Sequence, residues 1–210
     1  MSAQPFTTLS GAAVPMPEDN IDTDIIFPAR FLLLTSRAGL GEYAFYDRRY
    51  TTDGAPVADY VLNQPAYAEP RVIVGGENFG SGSSREQAVW AIHGMGVRCV
   101  IAPGFGEIFH ANCQRNGILP ITLPPEQIAP VMAAAQAGQS FTIDLPEQTL
   151  TYGNQPPIHF DIAEERKLAL LNGWDETAVL LNQFAGHIDA FETAQHAVQP
   201  WLYPLKDTQA

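Results

Sequence analysis

The sequence predicts an α/β fold with a small parallel sheet, short antiparallel strands and C-terminal helices. Between residues 72 and 121 the pattern alternates strand, helix, strand, helix, strand, which is typical of parallel strands joined by right-handed crossovers. Short alternating segments over 140–162, separated by turn residues, predict an antiparallel flap. From residue 163 the apolar residues take helical spacing, which predicts a helical extension over about 163–210.

The individual elements follow from the apolar periodicity and from the Gly and Pro residues that interrupt it. Strands are predicted at residues 11–15, 72–74, 97–102, 118–121, 140–145, 149–152 and 158–162. Helices are predicted at residues 88–95, 105–115, 124–137 and 188–197, with a helical turn at 60–63. In the second helix Ile108, Phe109 and Cys113 are expected to point inward.

Composition limits the partners and the compartment. The 210 residues are predicted to form one domain, residues 1–210, with a net charge of −12. This charge argues against nucleic acid and anionic membrane surfaces as partners, although a single cleft can still be locally positive. No apolar stretch approaches membrane-spanning length, and the N-terminus lacks the pattern of a signal peptide. We therefore expect a cytoplasmic protein.

The cysteines and histidines do not predict a metal site in this chain. Cys99 falls in a predicted core strand and Cys113 in a predicted helix, so both are expected to be inert thiols. Two cysteines cannot hold a four-iron cluster by themselves. The five histidines are scattered without the spacing of a zinc site, and none is assigned a catalytic role.

The stretch most informative for function is residues 75–86, GGENFGSGSSRE, between a predicted strand and a predicted helix. Such a junction directs backbone N–H groups and the positive end of the helix dipole at an anion. The glycine spacing fits neither a GxxxxGK phosphate loop nor a GxGxxG dinucleotide loop. Arg85 carries a planar fork of donors that matches a carboxylate. A serine needs positive charge nearby to act as a base, and the helix start and Arg85 supply it.

A structural interpretation of the same residues is also open. Ser83-x-x-Glu86 has the pattern of a capping box, and Ser84-x-x-Gln87 nearly repeats it. The two interpretations are compatible, since one serine can cap the helix while the other faces a ligand.

Residues 78–86, NFGSGSSRE, closely resemble the signature of the aconitase-type swivel domain family, in particular the small subunits of 3-isopropylmalate dehydratase. Further matches occur in order at residues 20–28, 108–112, 116–121 and 171–177, so the likeness covers nearly the whole chain. The resemblance implies a swivelling β/β/α three-layer domain of the aconitase C-terminal type.

The resemblance also implies a hydro-lyase that dehydrates 2-isopropylmalate and rehydrates the product to the 3-isomer, a step of leucine biosynthesis. It implies Ser83 as the base, supported by Ser84 and by the loop N–H groups, and it implies Ser84 and Gly82 as substrate-binding residues. Arg85 would clamp a carboxylate of the small dicarboxylate substrate. The 4Fe–4S cluster of such an enzyme is expected in a separate large subunit, with which this chain would form a heterodimer or heterotetramer.

Residues 18–24, EDNIDTD, place four carboxylates within seven residues. A solvated turn would explain this cluster, and a calcium loop is not predicted because the central Gly and the terminal Glu are missing. The resemblance singles out Thr23 and Asp24, which lie beside the catalytic loop in the family. It implies Thr23 as a substrate-binding residue and Asp24 as an orienting hydrogen-bond acceptor.

Much of the basic charge lies between residues 30 and 50, among apolar and aromatic side chains. Arg30 and Arg37 are candidate substrate-binding residues, and the alternative for either is an ion pair with a surplus surface carboxylate. In the family this region contains the loop that recognises the variable γ-substituent of the substrate. The apolar run around Leu33 favours an isopropyl group, whereas Arg37 would suit a carboxylate, so the γ-group stays open.

The sequence departs from the family pattern at a few positions. Ser81 replaces a common Cys, Gln87 a usual His and Val89 a usual Pro, and Ala29-Arg30 replaces a commoner pair that contains Lys. The chain could therefore be a subunit of another aconitase-like hydro-lyase, one that acts on homocitrate or a methylated maleate. A non-catalytic binding module that retains the fold is a further alternative, against which the intact Gly-Ser-Ser-Arg argues.

Overall fold

The computed structural model describes residues 4–82 and 85–203, and the predicted α/β class is confirmed in them. One mixed sheet has the strand order β4-β3-β2-β1-β5-β6-β7. Its strands are β1 (Thr8–Met16), β2 (Val72–Gly75), β3 (Cys99–Ala102), β4 (Leu119–Thr122), β5 (Ser140–Asp144), β6 (Thr149–Tyr152) and β7 (Ile158–His159).

The long first strand joins a parallel half of the sheet to an antiparallel half. Residues 13–16 of β1 pair in parallel with β2, and residues 8–12 pair antiparallel with β5. Strands β2, β3 and β4 continue the parallel half, while β6 and β7 continue the antiparallel half. The three C-terminal strands are therefore an extension of the main sheet and not a separate flap, because β5 hydrogen-bonds directly to β1.

Helices lie in the connections between the parallel strands and make up the C-terminal part of the chain. They are α1 (Thr23–Ile26), α2 (Tyr46–Arg49), α3 (Glu86–Gly94), α4 (Glu107–Arg115), α5 (Pro125–Gln136), α6 (Glu164–Asn172), α7 (Glu176–Gln183) and α8 (Ala185–Val198). Short 3-10 helices lie at Ala29–Phe31, Leu40–Tyr43, Val61–Asn63, Pro65–Tyr67 and Pro200–Leu202. In the described residues no helix is both long and apolar enough to span a bilayer.

Two apolar clusters lie on opposite faces of the parallel strands, because successive strand residues point to opposite faces. Val14 and Ile73 belong to the cluster that includes side chains of α1, α3 and α4. Val72 and Ile101 belong to the second cluster, which also contains Phe141 and other residues of β5 and β6. Helix α5 contributes Val131, Ala134 and Ala135 to this second cluster and so covers its face of the sheet, and α3 and α4 cover the other face.

The prediction for Ile108 was wrong. This side chain is 57% exposed, whereas Phe109 and Cys113 are buried as expected. The two buried residues are four positions apart and share one face of α4, while Ile108 precedes the first of them by one position and points about 100° away. The organisation as a single domain over 1–210, with an extension from 163, stays a prediction.

Helix α3 is held beside residues 39–44 by close approach of two backbones. An ideal Cβ on Gly94 would lie 2.8 Å from the amide nitrogen of Gly41, and one on Gly41 would lie 2.4 Å from the carbonyl carbon of Gly94. Neither position has room for a side chain. The contact fixes the segment that follows Leu33 and Arg37 against the helix that begins at Glu86.

We expect Gly94→Ala to lower the free energy of unfolding by about 1–3 kcal/mol, because the new methyl group would push two backbones apart. The matched control is Gly186→Ala in α8, where nothing lies within 4 Å of the added Cβ. That change should raise stability by up to about 1 kcal/mol through helix propensity. Urea denaturation of both variants measures the difference, and equal effects would contradict this account of α3.

Candidate active site

Three loops meet at the carboxyl edge of the parallel strands. Residues 17–22 follow β1, residues 76–85 follow β2 and residues 103–106 follow β3. The carboxyl ends of parallel strands share one edge of a sheet, and ligands of open α/β sheets usually bind there. This edge contains the glycine-rich loop and the acidic segment that the sequence singled out.

The acidic segment and the glycine-rich loop are joined along their lengths. Five hydrogen bonds connect their described residues: Glu77 N to Asp19 Oδ1 (2.7 Å), Asn20 N to Glu77 O (2.8 Å), Asn78 Nδ2 to Asn20 Oδ1 (2.8 Å), Gly80 N to Ile21 O (2.7 Å) and Thr23 N to Ser81 O (3.0 Å). Three of the five are backbone to backbone, so these three depend on chain conformation more than on side-chain type. The two loops therefore form one unit.

The third loop supports the glycine-rich loop from its other side. Phe79 N donates to Gly104 O at 2.9 Å, and Gly106 N donates to Phe79 O at 2.9 Å. Gly80 has a φ of 75°, and an ideal Cβ there would lie 2.1 Å from the ring of Phe109. This glycine is required both for its backbone conformation and for the close approach of α4.

The structure brings Asp24 and Arg85 together. Asp22 caps α1 by accepting a hydrogen bond from Ile25 N at 2.7 Å, which places Asp24 in the first turn of that helix. The Nη1 of Arg85 donates to Oδ1 of Asp24 in an ion pair. The Arg85 side chain is 23% exposed and the Asp24 side chain 50%, so the pair is accessible. The catalytic roles of both residues stay predictions.

Thr23 and Gly82 lie beside this pair. Thr23 is buried, and its backbone N–H holds the loop at Ser81. Gly82 has a φ of 89°, a conformation that favours glycine, and a Cβ there would lie 4.0 Å from Oγ1 of Thr23. The predicted substrate-binding residues Thr23 and Gly82 are thus neighbours, and their binding role stays a prediction.

Ser83 and Ser84 lie outside the described residues, so their predicted roles rest on the sequence alone. The capping box from Ser83 to Glu86 was nevertheless wrong. Helix α3 begins at Glu86, and its N-cap position is Arg85, with φ −128° and ψ 124°. Glu86 is therefore the first helical residue, whereas a capping box requires it to be the third.

Arg30 and Arg37 are held by other groups. Arg30 forms a two-pronged ion pair with Asp47 and lies 4.5 Å over the ring of Phe31. Hydrogen bonds from Arg30 lower the pKa of the Asp47 carboxyl. Arg37 lies 4.3 Å over the ring of Trp90, and its guanidinium is 3.9 Å from Glu86.

Leu33 is 91% exposed, which is unusual for so large an apolar side chain. It follows the 3-10 helix Ala29–Phe31 and precedes Arg37 in the same loop. The substrate-binding roles predicted for Arg30, Leu33 and Arg37 stay predictions.

One polar residue near the site was missed by the sequence reasoning. Asn116 is buried and bonds both Glu86 and Trp90 of α3. Asn116-Gly117 was interpreted only as a turn, which it also is. The pattern contained no signal for its side-chain partners, because they are about 30 residues away in the sequence.

Neither cysteine takes part in the site. Cys99 belongs to the apolar cluster on one face of the sheet and Cys113 to the cluster on the other. Burial raises the pKa of both thiols. Within residues 4–82 and 85–203, no three or more His, Cys, Asp or Glu side chains are grouped so that they could hold a metal ion.

Comparison with known proteins identifies the family. Residues 3–126 match the model of the aconitase C-terminal domain. The 3-isopropylmalate dehydratase small subunit of Paramagnetospirillum magneticum is 48% identical over 199 residues, which cover 94% of this chain and 98% of that protein. The protein of the same name from Cereibacter sphaeroides is 45% identical over 201 residues, which cover 95% of this chain and 100% of that protein. This chain belongs to the family of 3-isopropylmalate dehydratase small subunits.

A solved structure supports the same assignment. The 3-isopropylmalate dehydratase from Methanocaldococcus jannaschii superposes with a TM-score of 0.64 at 28% identity, covering 87% of this chain and 99% of that chain. The predicted family and the predicted aconitase-type fold are thereby confirmed. All nine predicted site residues lie within the matched range 3–126, and α6, α7 and α8 lie beyond it.

Two half-buried histidines make stability depend on pH. Burial lowers the pKa of both His93 and His110 below the ordinary value of 6.5, and the ring of His110 lies 5.5 Å from that of Phe105, centroid to centroid. The unfolded chain therefore binds more protons than the folded protein just below that pH, so the free energy of unfolding falls as pH drops through about 6.5.

We expect His110→Gln to reduce this fall in the free energy of unfolding, because glutamine does not bind a proton in either the folded or the unfolded state. Urea denaturation at pH 7.5 and pH 5.5 measures the change for both proteins, each pH being about one unit from the ordinary histidine value. The exposed His187, changed to Gln, is the control and should leave the wild-type loss in place. A loss as large in His110→Gln as in wild type would contradict this assignment.

Proposed function

We propose that this chain is the small subunit of a 3-isopropylmalate dehydratase and supplies the serine and arginine half of an active site completed by a large subunit. The observation that carries the proposal is the Arg85–Asp24 pair at the start of α3, at the carboxyl edge of the sheet. The family assignment supplies the reaction. The substrate is then 2-isopropylmalate, a dicarboxylate, which loses water and regains it to give the 3-isomer.

Arg85 is suited to hold one carboxylate of this substrate. A guanidinium has five N–H donors in one plane, so it can keep Asp24 and a substrate carboxylate at the same time. Asp24 is fixed by α1, and its contact therefore orients the guanidinium before substrate arrives. The first-turn N–H groups of α3 add positive potential at the same end of the helix.

The proton α to the carboxylate requires a base, and we assign this role to Ser83 on the family resemblance. Ser83 precedes Arg85 by two residues. A serine hydroxyl becomes a useful base only where positive charge lowers its pKa, and Arg85 and the start of α3 supply such charge nearby in the chain. Ser84 and the loop N–H groups, including that of Gly82, would support the same position.

The remaining chemistry belongs to the large subunit. Neither Cys99 nor Cys113 reaches the site, and a cluster needs more cysteines than this chain has, so the residues present do not fit a 4Fe–4S cluster. The cluster expected in the partner would act as a Lewis acid on the departing hydroxyl. This chain holds the carboxylate and moves the proton. Its two free thiols fit a reducing compartment, and we propose the cytoplasm.

The exposed Leu33 is the proposed contact for the isopropyl group. The Leu33 side chain is 91% exposed, and covering it with a ligand or a partner would lower the free energy by removing apolar surface from water. Arg30 and Arg37 flank this residue in the chain, although each is engaged by a carboxylate of this subunit. We therefore propose that Leu33 reads the γ-substituent and that the two arginines add positive charge around it.

Arg85→Lys should raise the KM for 2-isopropylmalate by about 10- to 100-fold, because an ammonium cannot hold Asp24 and a carboxylate in one plane. The measurement is steady-state dehydration by the purified complex of both subunits. Arg115→Lys is the matched control, since Arg115 also pairs with one exposed carboxylate, that of Glu176, at the far end of α4. Equal KM values for the two variants would contradict the role of Arg85.

Ser83→Ala should lower kcat by a factor of about 100 to 10,000, the usual contribution of a general base, with little change in KM. Unchanged kcat would remove Ser83 from the mechanism. Preferred turnover of homocitrate or a methylated maleate by the wild-type complex would favour another aconitase-like hydro-lyase. Substrate binding without turnover would favour a non-catalytic module, and activity of this chain alone would refute the two-subunit site.

A further inference from the structure

A buried amide connects the end of α4 to the start of α3. Asn116 is 8% exposed and follows the last residue of α4. Its Nδ2 donates to Oε1 of Glu86 at 2.9 Å and to the carbonyl of Asn112 at 2.8 Å. Its Oδ1 accepts a hydrogen bond from Nε1 of Trp90 at 2.9 Å. The side chain thus bridges two helices.

The partners leave this amide one possible orientation. The carboxylate of Glu86 and the carbonyl of Asn112 accept hydrogen bonds, whereas the indole N–H of Trp90 only donates. An asparagine supplies two donors and an acceptor on one planar group, which matches these three partners. An aspartate supplies no donor and would face two acceptors.

The bridge determines where the charge of Glu86 lies. Glu86 is the first residue of α3 and comes directly after Arg85. Its carboxylate is 3.9 Å from the guanidinium of Arg37, which stacks 4.3 Å over the ring of Trp90. Asn116 and Arg37 therefore both approach Oε1 of this carboxylate, and Trp90 in turn contacts both Asn116 and Arg37.

A carboxylate at this position would interfere with substrate binding if it turned toward Arg85. It would compete with an anionic substrate for the same guanidinium, in addition to the contact that Asp24 already makes. Glu86 is the residue next to Arg85, and its side chain has the rotatable bonds needed to turn toward that guanidinium once it is released. The scheme therefore requires the hydrogen bond from Asn116 to keep Glu86 in place.

We infer that Asn116 is a positioning residue for substrate binding: it holds the carboxylate of Glu86 beside Arg37 and so leaves Arg85 for a substrate carboxylate. The inference rests on the proposed function. Asn116 itself touches neither the substrate nor Arg85 in this scheme and acts through Glu86.

The test is the change Asn116→Asp in the complex of both subunits. It should raise the KM for 2-isopropylmalate about tenfold, the factor of one charged hydrogen bond, and leave kcat within about twofold of wild type. Glu86→Gln should change KM by less than about threefold, because its amide oxygen still accepts from Asn116.

The double variant Asn116→Asp/Glu86→Gln decides the mechanism. Its new amide at position 86 can donate to the new carboxylate at position 116, so the bridge re-forms with reversed polarity. Its KM should return to within about threefold of that of Glu86→Gln, which is strong non-additivity for two neighbouring changes.

Asn172→Asp is the matched control. Asn172 also ends a helix and donates to the carbonyl four residues before it, that of Leu168, at 2.8 Å. The control removes the same type of local hydrogen bond and adds the same charge outside the bridge. Its KM and kcat should equal those of wild type.

An Asn116→Asp complex with wild-type KM would overturn the inference, as would a double variant no better than Asn116→Asp. A fall in Tm and kcat without a change in KM would do the same, because it would indicate a merely structural role.

If Asn116→Asp gives no folded complex, the variant Trp90→Phe provides the test. It keeps an aromatic ring under Arg37 but removes one hydrogen bond to Asn116, and it should raise KM about threefold. A wild-type complex without activity would refute the proposed function, and the inference with it.

Discussion

The hydrogen bonds between residues 19–23 and the glycine-rich loop are the constraint on which the site depends. They hold together two segments that are nearly 60 residues apart in sequence and emerge from neighbouring parallel strands. Because most of them join backbone groups, the geometry tolerates side-chain changes but requires the backbone turns that Gly80 and Gly82 allow. Arg85 and Asp24 meet as a consequence of this pairing, since each lies just beyond its end.

Each of the four carboxylates in residues 18–24 has an identified contact in the structure. Asp19 accepts from a loop amide, Asp22 caps α1, and Glu18 pairs with Arg48 at 2.8 Å. Three of the four carboxylates thus make contacts that support the fold, and Asp24 pairs with Arg85. The two interpretations of this cluster, a structural turn and a functional site, therefore apply to different residues of the same segment.

The sequence predicted the fold and the site where local chemistry determines them. The strand and helix of residues 72–94 follow from apolar spacing, and the loop between them follows from its glycines. The capping box failed because extended backbone at Arg85 shifts the helix start, a choice made by tertiary contacts and invisible in the pattern. Asn116 was missed for a similar reason, since three partners on two helices give it a role that no spacing rule describes.

The contacts of Arg37 bear on the proposal that Leu33 contacts the γ-group of the substrate. Its sequence neighbourhood allowed two outcomes, a basic pocket for a carboxylate or an apolar one for an isopropyl group. In the folded chain the guanidinium is stacked on Trp90 and faces Glu86, whereas Leu33 has no such cover and is almost fully exposed. A γ-carboxylate at Arg37 would come close to the carboxylate of Glu86, and the two like charges would repel each other. An isopropyl group would instead cover the exposed apolar side chain of Leu33, so these contacts support the proposed branched apolar substrate.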